Sequence, residues 1–528
     1  MKEELKKFLL LAIEKAFPAF KAEEDLLEIL VPADDFGDYS TNLALKMAGK
    51  VGEKPLKIAE KLKIALEKES VVGDCLEKIE VAKPGFLNFS LSTGARGKII
   101  QTINREQENF GSATWGKGKK IHLDFVSANP TGPIHLGNGR GGPLGDTLAK
   151  VLEKVGFSVW REYYVNDFGN QIKILGHSIL QDEEAQYKGE YLNELRKRNK
   201  EKEPFLAGQA GAKIILENLI QPTMEKMRIF FDQYFSESTL HKEGWVEKVF
   251  KILKEKNYLY EKDGAWWFRA TNFGDEKDRV VRKRTGEITY FGGDIAYHYH
   301  KLQKRKFDLA IDIWGADHHG DVRRILSALE ALDLGGKIKV ILTQNLTVIK
   351  NGREFKMSKR KGQYICLEDL IEEVGVDAVR FIFLSFSADS PMVFDINLAQ
   401  EKSDKNPVYY VQYASARLAG ILEKTAKLEK YTEEADFNQL KKNKEKELIK
   451  HLMLFPALVT EVAASRQVHR LVHYAIRLAD KFHSFYQDCR ILNEEKTLAV
   501  ARRELVKATR VVLQENLRLL GVTAPEKM

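Results

Sequence analysis

"IHLDFVSANPTGPIHLGNGRGGPLGDTLAKVLEKVGFSVWREYYV", residues 121–165, carries the pattern that decides the fold. "IHLDFV" is a short apolar strand, and "SVWREYYV" is a second one. Between them Leu144, Leu148, Val151, Leu152 and Val155 form one helical stripe. Strand, helix, strand in this order is a parallel α/β unit. The loop from first strand to helix, residues 127–142, holds two prolines, one histidine and five glycines. A glycine-rich turn into a helix N-terminus offers backbone N–H groups and a positive dipole end to an anion, above all a phosphate. His135 stands at the mouth of that turn, where a ring N–H meets a phosphate oxygen as charge develops.

The rest of the chain divides around this unit. Its 528 residues imply about three domains. Residues 1–112 mix helical stretches with a β-like end: "PLKIAEKLKIALEKE" has helical periodicity, and "IEVAKPGFLNFSLS" alternates about a Pro-Gly turn. The opening "MKEELKKFLLLAIEKAF" is expected to be an amphipathic helix with Leu5, Phe8, Leu9, Ala12 and Ile13 inward, not an export signal. No other stretch reads as long and apolar enough to cross a membrane. Residues 113–395 form an α/β core in which about 175–260 is a charged helical insertion, after which "LAIDIWG" and "KVILTQNLTVI" resume the strands. Residues 396–528 carry no strand signal, and Leu471, Tyr474, Leu478, Phe482 and Phe485 step by three or four, as in a helical bundle.

Charge and cysteine content narrow the function. The net charge is +8, and residues 401–528 hold 23 Lys+Arg against 17 Asp+Glu, so most of the excess sits on the helical end. That balance suits a solvated helix surface or a nucleic-acid face. Cys75, Cys366 and Cys489 lie far apart, which excludes a zinc knuckle or a disulfide framework and fits the cytoplasm.

Two familiar fingerprints do not apply. Gly137, Gly139 and Gly142 satisfy G-x-G-x-x-G with Glu162 twenty residues on, but a dinucleotide loop turns directly off its strand, and here Pro130, Pro133 and His135 intervene. "DFG" at 167–169 lacks the "HRD" segment of a kinase. "KMSKRKG", residues 356–362, is a second basic element flanked by glycine. Two phosphate-directed elements on one α/β core are far more specific than either alone.

That pairing resembles class I aminoacyl-tRNA synthetases, which carry His-x-Gly-His after the first strand and a Lys-Met-Ser-Lys loop; this chain has "HLGN" and "KMSK". "SANPTGPIHLGN", "REYYVNDFGNQI", "FGDYSTNLALKMA", "NPVYYVQYASAR" and "LLGVTAPEKM" closely resemble the arginyl-tRNA synthetase family, from about residue 36 to 528. The second signature histidine is replaced by Asn138, whose amide still donates a hydrogen bond but carries no charge. A different class I synthetase, a nucleotidylyltransferase and a non-catalytic tRNA-binding relative are the alternatives.

The resemblance implies a Rossmann-like catalytic domain between an α+β N-terminal domain that contacts tRNA and an all-α anticodon-binding bundle. It implies ATP with Mg²⁺ as the substrate complex, L-arginine and tRNA(Arg) as partners, no structural metal, no membrane and a monomer in the cytoplasm. His135, Asn138, Lys356 and Lys359 match the catalytic positions, and Gly132, Gly137, Asp317, His318, Met357 and Ser358 the ATP site. Ser127, Asn129, Glu237, Tyr290 and Asp294 match arginine-binding positions; a guanidinium, a planar five-donor fork, calls for carboxylates. Tyr39 and Asn42 match a tRNA contact of the N-terminal domain, and Tyr409 and Tyr413 one of the bundle, where tyrosines stack unpaired bases.

Overall fold

The structure is a computed structural model that describes all residues except 22, 24–25, 33–35 and 355–365. The first helix, Lys2–Ala16, buries Leu5, Phe8, Leu9, Ala12 and Ile13. With the helices Leu43–Val51 and Pro55–Glu67 it covers an antiparallel sheet of β1 (Tyr39–Thr41), β2 (Leu76–Ala82) and β3 (Phe86–Leu91), in the order β1-β3-β2. This is the α+β domain, and its β2–β3 hairpin turns at the Pro-Gly step.

The central sheet uses β4 (Lys120–Asp124), β5 (Ser158–Val165), β6 (Gln233–Ser236), β10 (Leu309–Gly315) and β11 (Ile338–Thr343), in the order β11-β10-β4-β5-β6 with every pair parallel. Before β10 a separate antiparallel sheet is formed by β7 (Leu259–Lys262), β8 (Ala265–Phe268) and β9 (Arg279–Arg282). The strand order reverses between β4 and β10, and ligands of open α/β sheets bind in the crevice beyond the strand ends at such a switch point.

The structure corrects the reading of 175–260 as a helical insertion. Helices do occupy most of 191–226, but β6 completes the central sheet inside 175–260 and β7 begins at Leu259. β6 has only four residues and lies among charged helices, too short to leave a period-2 signal. "KVILTQNLTVI" is also two strands. β11 stays in the central sheet, whereas β12 (Leu346–Lys350) joins β13 (Arg353–Glu354) and β14 (Met392–Asp395) in a small sheet.

After β14 the structure is helical. The bundle's main helices are Pro407–Lys424, Asn443–Met453, Phe455–Ser465, His469–Asp488 and Lys496–Leu520. Contrary to expectation, 443–465 is a stretch long and apolar enough to cross a membrane; 61% of its most apolar window is buried, as in a bundle core. The last helix is built into the catalytic domain. Glu515 pairs with Lys154 at 2.7 Å, both 3% exposed, and the fully buried Arg380 donates to Leu520 O at 2.9 Å. Arg228 donates to Gly521 O at 3.1 Å, and Asp377 accepts from Thr523 N at 3.0 Å.

Candidate active site

The chain leaves β4 through Val126 and Ser127, both with positive φ (69° and 36°), a strained bend for side-chain-bearing residues. The Ser127 hydroxyl donates to Asp124 Oδ1 at 2.6 Å and accepts from Tyr164 N at 2.9 Å, which ties the bend to the ends of β4 and β5. Asn129 is exposed beyond it, and Gly132 is half-buried. His135 then caps a short helix, Leu136–Gly139, by accepting the Gly137 amide on Nδ1 at 3.0 Å. An acceptor at Nδ1 puts the neutral ring's proton on Nε2, the donor this site needs. Surrounding protein lowers the His135 pKa, although the side chain is open to solvent. Asn138 is exposed one turn further on.

Not all the glycines clear room for a ligand. A Cβ on Gly139 would meet Leu367 Cδ2 at 2.8 Å, and one on Gly145 would meet Phe125 at 2.3 Å. Both serve close packing of the signature helices against neighbouring protein.

Lys356, Met357, Ser358 and Lys359 lie outside the described residues. Beyond them, Cys366 forms a β-bridge with His135, and Leu367 N donates to Ile134 O at 2.9 Å. On the other side of the switch point, β10 ends at Gly315. The register pairs Asp312 with Asp124, so "GADHH" emerges at the same sheet edge as the signature loop. Asp317 and His318 are both exposed there, and His318 Nδ1 lies 3.2 Å from Asp321.

Beside this edge is a cluster of carboxylates. Asp294 lies on the helix Tyr290–Tyr299, whose N-cap Thr289 accepts the Gly292 amide, with Tyr290 half exposed at its start. Glu237, 6% exposed, begins the helix after β6, and its Oε1 would sit 3.0 Å from a Cβ on Gly293. Among the described residues no lysine or arginine forms an ion pair with either acid; Glu237 has only His241, at 3.7 Å. Burial, and next the charge of Glu237, raise the Asp294 pKa to about 8. Tyr164 is surrounded by Glu237, Asp294, Asp124 and Asp167, whose charges reinforce the effect of burial in raising its pKa well above the usual value.

Sequence reasoning missed Asp124 and Tyr164. Asp124 is the one acid in the buried strand "IHLDFV", and that oddity was the available signal. Burial raises its pKa to about 6 against the pull of Lys301. A buried network supports the cluster. The Tyr297 hydroxyl lies 2.9 Å from Asp124 Oδ2 and 2.8 Å from Glu162 Oε1. Asp312 is held by His298 at 2.6 Å and Lys301 at 2.9 Å. Glu162, fully buried, is paired with His122 and Arg305, which hold its pKa down to about 2 against the effect of burial. Asp167 of "DFG" accepts Ser238 N and Oγ, both at 2.8 Å, and so caps the helix of Glu237.

The RNA-facing expectations divide. Tyr39 is 4% exposed, inside the N-terminal core, and burial raises its hydroxyl pKa; this corrects its reading as a tRNA contact, because no base can reach the ring. Asn42 is partly exposed at the N-cap of Leu43–Val51, donating to Glu28 at 3.3 Å. On the bundle, Tyr409 and Tyr413 have nearly parallel rings 6.4 Å apart. His483 sits against Tyr413 at 5.8 Å, and Arg417 lies over Tyr413 at 5.8 Å. Tyr413 is 42% exposed, a surface on which a base can stack.

Comparison with known proteins agrees with this architecture. Residues 3–91 match the arginyl tRNA synthetase N-terminal domain, 99–207 and 181–383 the class I (R) tRNA synthetase catalytic domain, and 411–528 the DALR anticodon binding domain. The chain is 40% identical to an arginine–tRNA ligase of Bacillus pumilus, over 100% of this chain and 99% of that one. It is 41% identical to one of Bacillus subtilis over the same shares. The solved arginyl-tRNA synthetase of Thermus thermophilus superposes with a TM-score of 0.75 at 20% identity, covering all of both chains, which shows the shared fold. With three domain matches in series and full-length identity near 40%, the chain belongs to the arginyl-tRNA synthetase family.

Proposed function

We propose that the chain joins L-arginine to tRNA(Arg) at the cost of ATP, with the cluster of Asp294 and Glu237 as the arginine subsite. The arginine carboxylate attacks the α-phosphate of ATP and expels pyrophosphate, leaving arginyl-adenylate. A hydroxyl of the terminal tRNA adenosine then takes the arginyl group and releases AMP. No covalent protein nucleophile is required, since positioning and charge stabilisation carry phosphoryl chemistry.

The observation that carries this reading is a pair of acids without a lysine or arginine ion-pair partner among the described residues, beside the signature turn at the switch point. Asp294 and Glu237 meet the guanidinium, with Tyr290 against its stem. Asp124 holds the floor. Ser127 and Asn129 hold the amino-acid end, Ser127 through the bend it braces. His135 donates from Nε2 and Asn138 from its amide to the ATP phosphates, with Gly132 and Gly137 beneath them. Asp317 and His318 flank the adenosine. Lys356, Met357, Ser358 and Lys359 close over the departing pyrophosphate, where the two ammonium groups neutralise its charge.

Mg²⁺ would arrive on the ATP phosphates, since it keeps several waters and is usually held by substrate phosphates with one or two carboxylates. Asn42 and the face of Tyr409 and Tyr413 would meet tRNA. The wide spacing of Cys75, Cys366 and Cys489 along the chain suits a reducing cytoplasm, and the family likeness supports a monomer.

The test is ATP–pyrophosphate exchange with arginine, with and without tRNA. Arginine-dependent exchange that requires tRNA supports the reading. Absence of exchange with both present defeats it.

A further inference from the structure

Arg140 belongs to the signature segment but faces away from the carboxylate cluster. It is 3% exposed, and its guanidinium donates to three backbone carbonyls: Gln344 O at 2.5 Å, Ser387 O at 2.9 Å and Ser390 O at 2.9 Å. No carboxylate accepts a bond from it among the described residues, and burial lowers its pKa against the field of Asp389. A buried guanidinium is costly unless its geometry is well satisfied, and only a planar fork spans carbonyls from two segments at once.

Those segments lead to both halves of the machinery. Gln344 lies between β11 and β12, and β12 and β13 run toward residues 355–365, which carry Lys356 and Lys359. Ser387 and Ser390 lie in the loop between the helix Val376–Leu384 and β14, from which the chain enters the bundle. Gln344 N donates to Ala388 O at 2.9 Å and Met392 N to Asn345 O at 3.1 Å, so the two segments are clamped together. On the bundle side, His473 Nε2 of the helix His469–Asp488 lies 3.2 Å from Ser385 O, at the start of the same loop. On the site side, Gly139 N donates to His135 O and Arg140 N to Leu136 O, both at 3.0 Å. A hydrogen-bonded chain thus runs from a bundle helix to the turn that bears His135.

We propose that Arg140 is a positioning residue that couples engagement of RNA by the bundle to placement of the signature turn. This rests on the proposed function. The bundle shifts the Ser385–Ser390 loop, and Arg140 passes that shift to His135 and Asn138. Mutating it changes the rate of adenylate formation rather than the affinity for arginine or tRNA.

The experiment compares the unmutated full chain, Arg140→Lys, His473→Ala and the double variant by thermal melting and tRNA-dependent ATP–pyrophosphate exchange. Arg140→Lys keeps the charge but not the fork. The expected result is a kcat lower by about tenfold or more with arginine and tRNA KM within about twofold. His473→Ala should lower kcat less, and the double variant should be no slower than Arg140→Lys, because both lie on one line of contacts.

Wild-type kcat in Arg140→Lys overturns the inference, as does a kcat loss matched by equal losses in both KM values, or multiplicative effects in the double variant. If Arg140→Lys does not fold, His473→Ala decides: reduced kcat at unchanged tRNA KM supports the coupling, and unchanged kcat overturns it. An unmutated chain without exchange activity would instead overturn the proposed function, and this inference with it.

Discussion

Arginine should bind more weakly as pH falls below 8, and binding should release a proton. Asp294 without a ligand is held at about 8 because burial and the Glu237 charge oppose its ionisation. Below that pH the carboxyl is neutral, whereas a guanidinium needs the ionised form, so binding must expel the proton. Each pH unit below 8 then costs about 1.4 kcal/mol, or roughly tenfold in affinity. Between pH 8, where half of the carboxyl is already ionised, and pH 6 the loss is about fiftyfold, as long as the bound guanidinium holds Asp294 below pH 6.

Titration calorimetry in two buffers of different ionisation enthalpy counts the protons directly. About 0.9 proton should leave per arginine at pH 7 and about 0.1 at pH 9. Asp294→Asn should bind arginine weakly with a flat pH profile. The sign for stability runs the other way. With its folded pKa above the ordinary 3.8, Asp294 supports the unliganded fold at low pH and loses that contribution as pH rises through about 8. Asp294→Asn should therefore raise the melting temperature most above pH 8. Binding that ignores pH and releases no proton would refute the assignment of the guanidinium to this carboxyl.

Other outcomes follow from the remaining site residues. Asn138→Ala should lose about 1–3 kcal/mol of transition-state stabilisation in exchange, while Asn138→His keeps substantial activity, because imidazole donates at similar reach. Equal activity of Asn138→Ala and the unmutated chain would leave the phosphates to His135 and the loop amides. Lys359→Ala should slow adenylate formation about 10²-fold, near 3 kcal/mol, with arginine affinity little changed. A loss confined to arginine affinity would remove that lysine from pyrophosphate stabilisation. Tyr413→Ala should weaken tRNA binding by about 1–3 kcal/mol without altering arginine affinity, as read from tRNA KM. Binding by the unmutated bundle should fall with salt, and a salt-independent tRNA affinity would count against phosphate contacts there.

How much was legible in the sequence follows from the range of the interactions. The faces of Lys2–Ala16 and His469–Asp488 could be read because helical amphipathicity is local. The parallel unit around the signature was legible for the same reason. β6 was not, being four residues of mixed polarity whose partner, β5, lies far away in sequence. Tyr39 was misread because its burial depends on helices packed across β3, which no local pattern reports. The carboxylate pair could be named from the family resemblance, yet its lack of a nearby cation depends on what four separate segments bring to Tyr164. Arg140 stands in the glycine-rich loop without any local sign of its role, and only the three carbonyls around it show where it points.

The seat of the last helix in the catalytic domain has a consequence for biogenesis. The contacts of Lys154 with Glu515, and of Arg380 with Leu520, join residues synthesised well over a hundred positions apart. A nascent chain that has already exposed β14 still lacks the segment that neutralises Lys154 and accepts from the Arg380 guanidinium. Asp146 and Met227 O are already there to hold Arg380, whereas Lys154 lacks its carboxylate partner until the end of the bundle has been translated. A product stalled before residue 515 would therefore leave Lys154 without its carboxylate and the seat of the last helix open to chaperones and proteases.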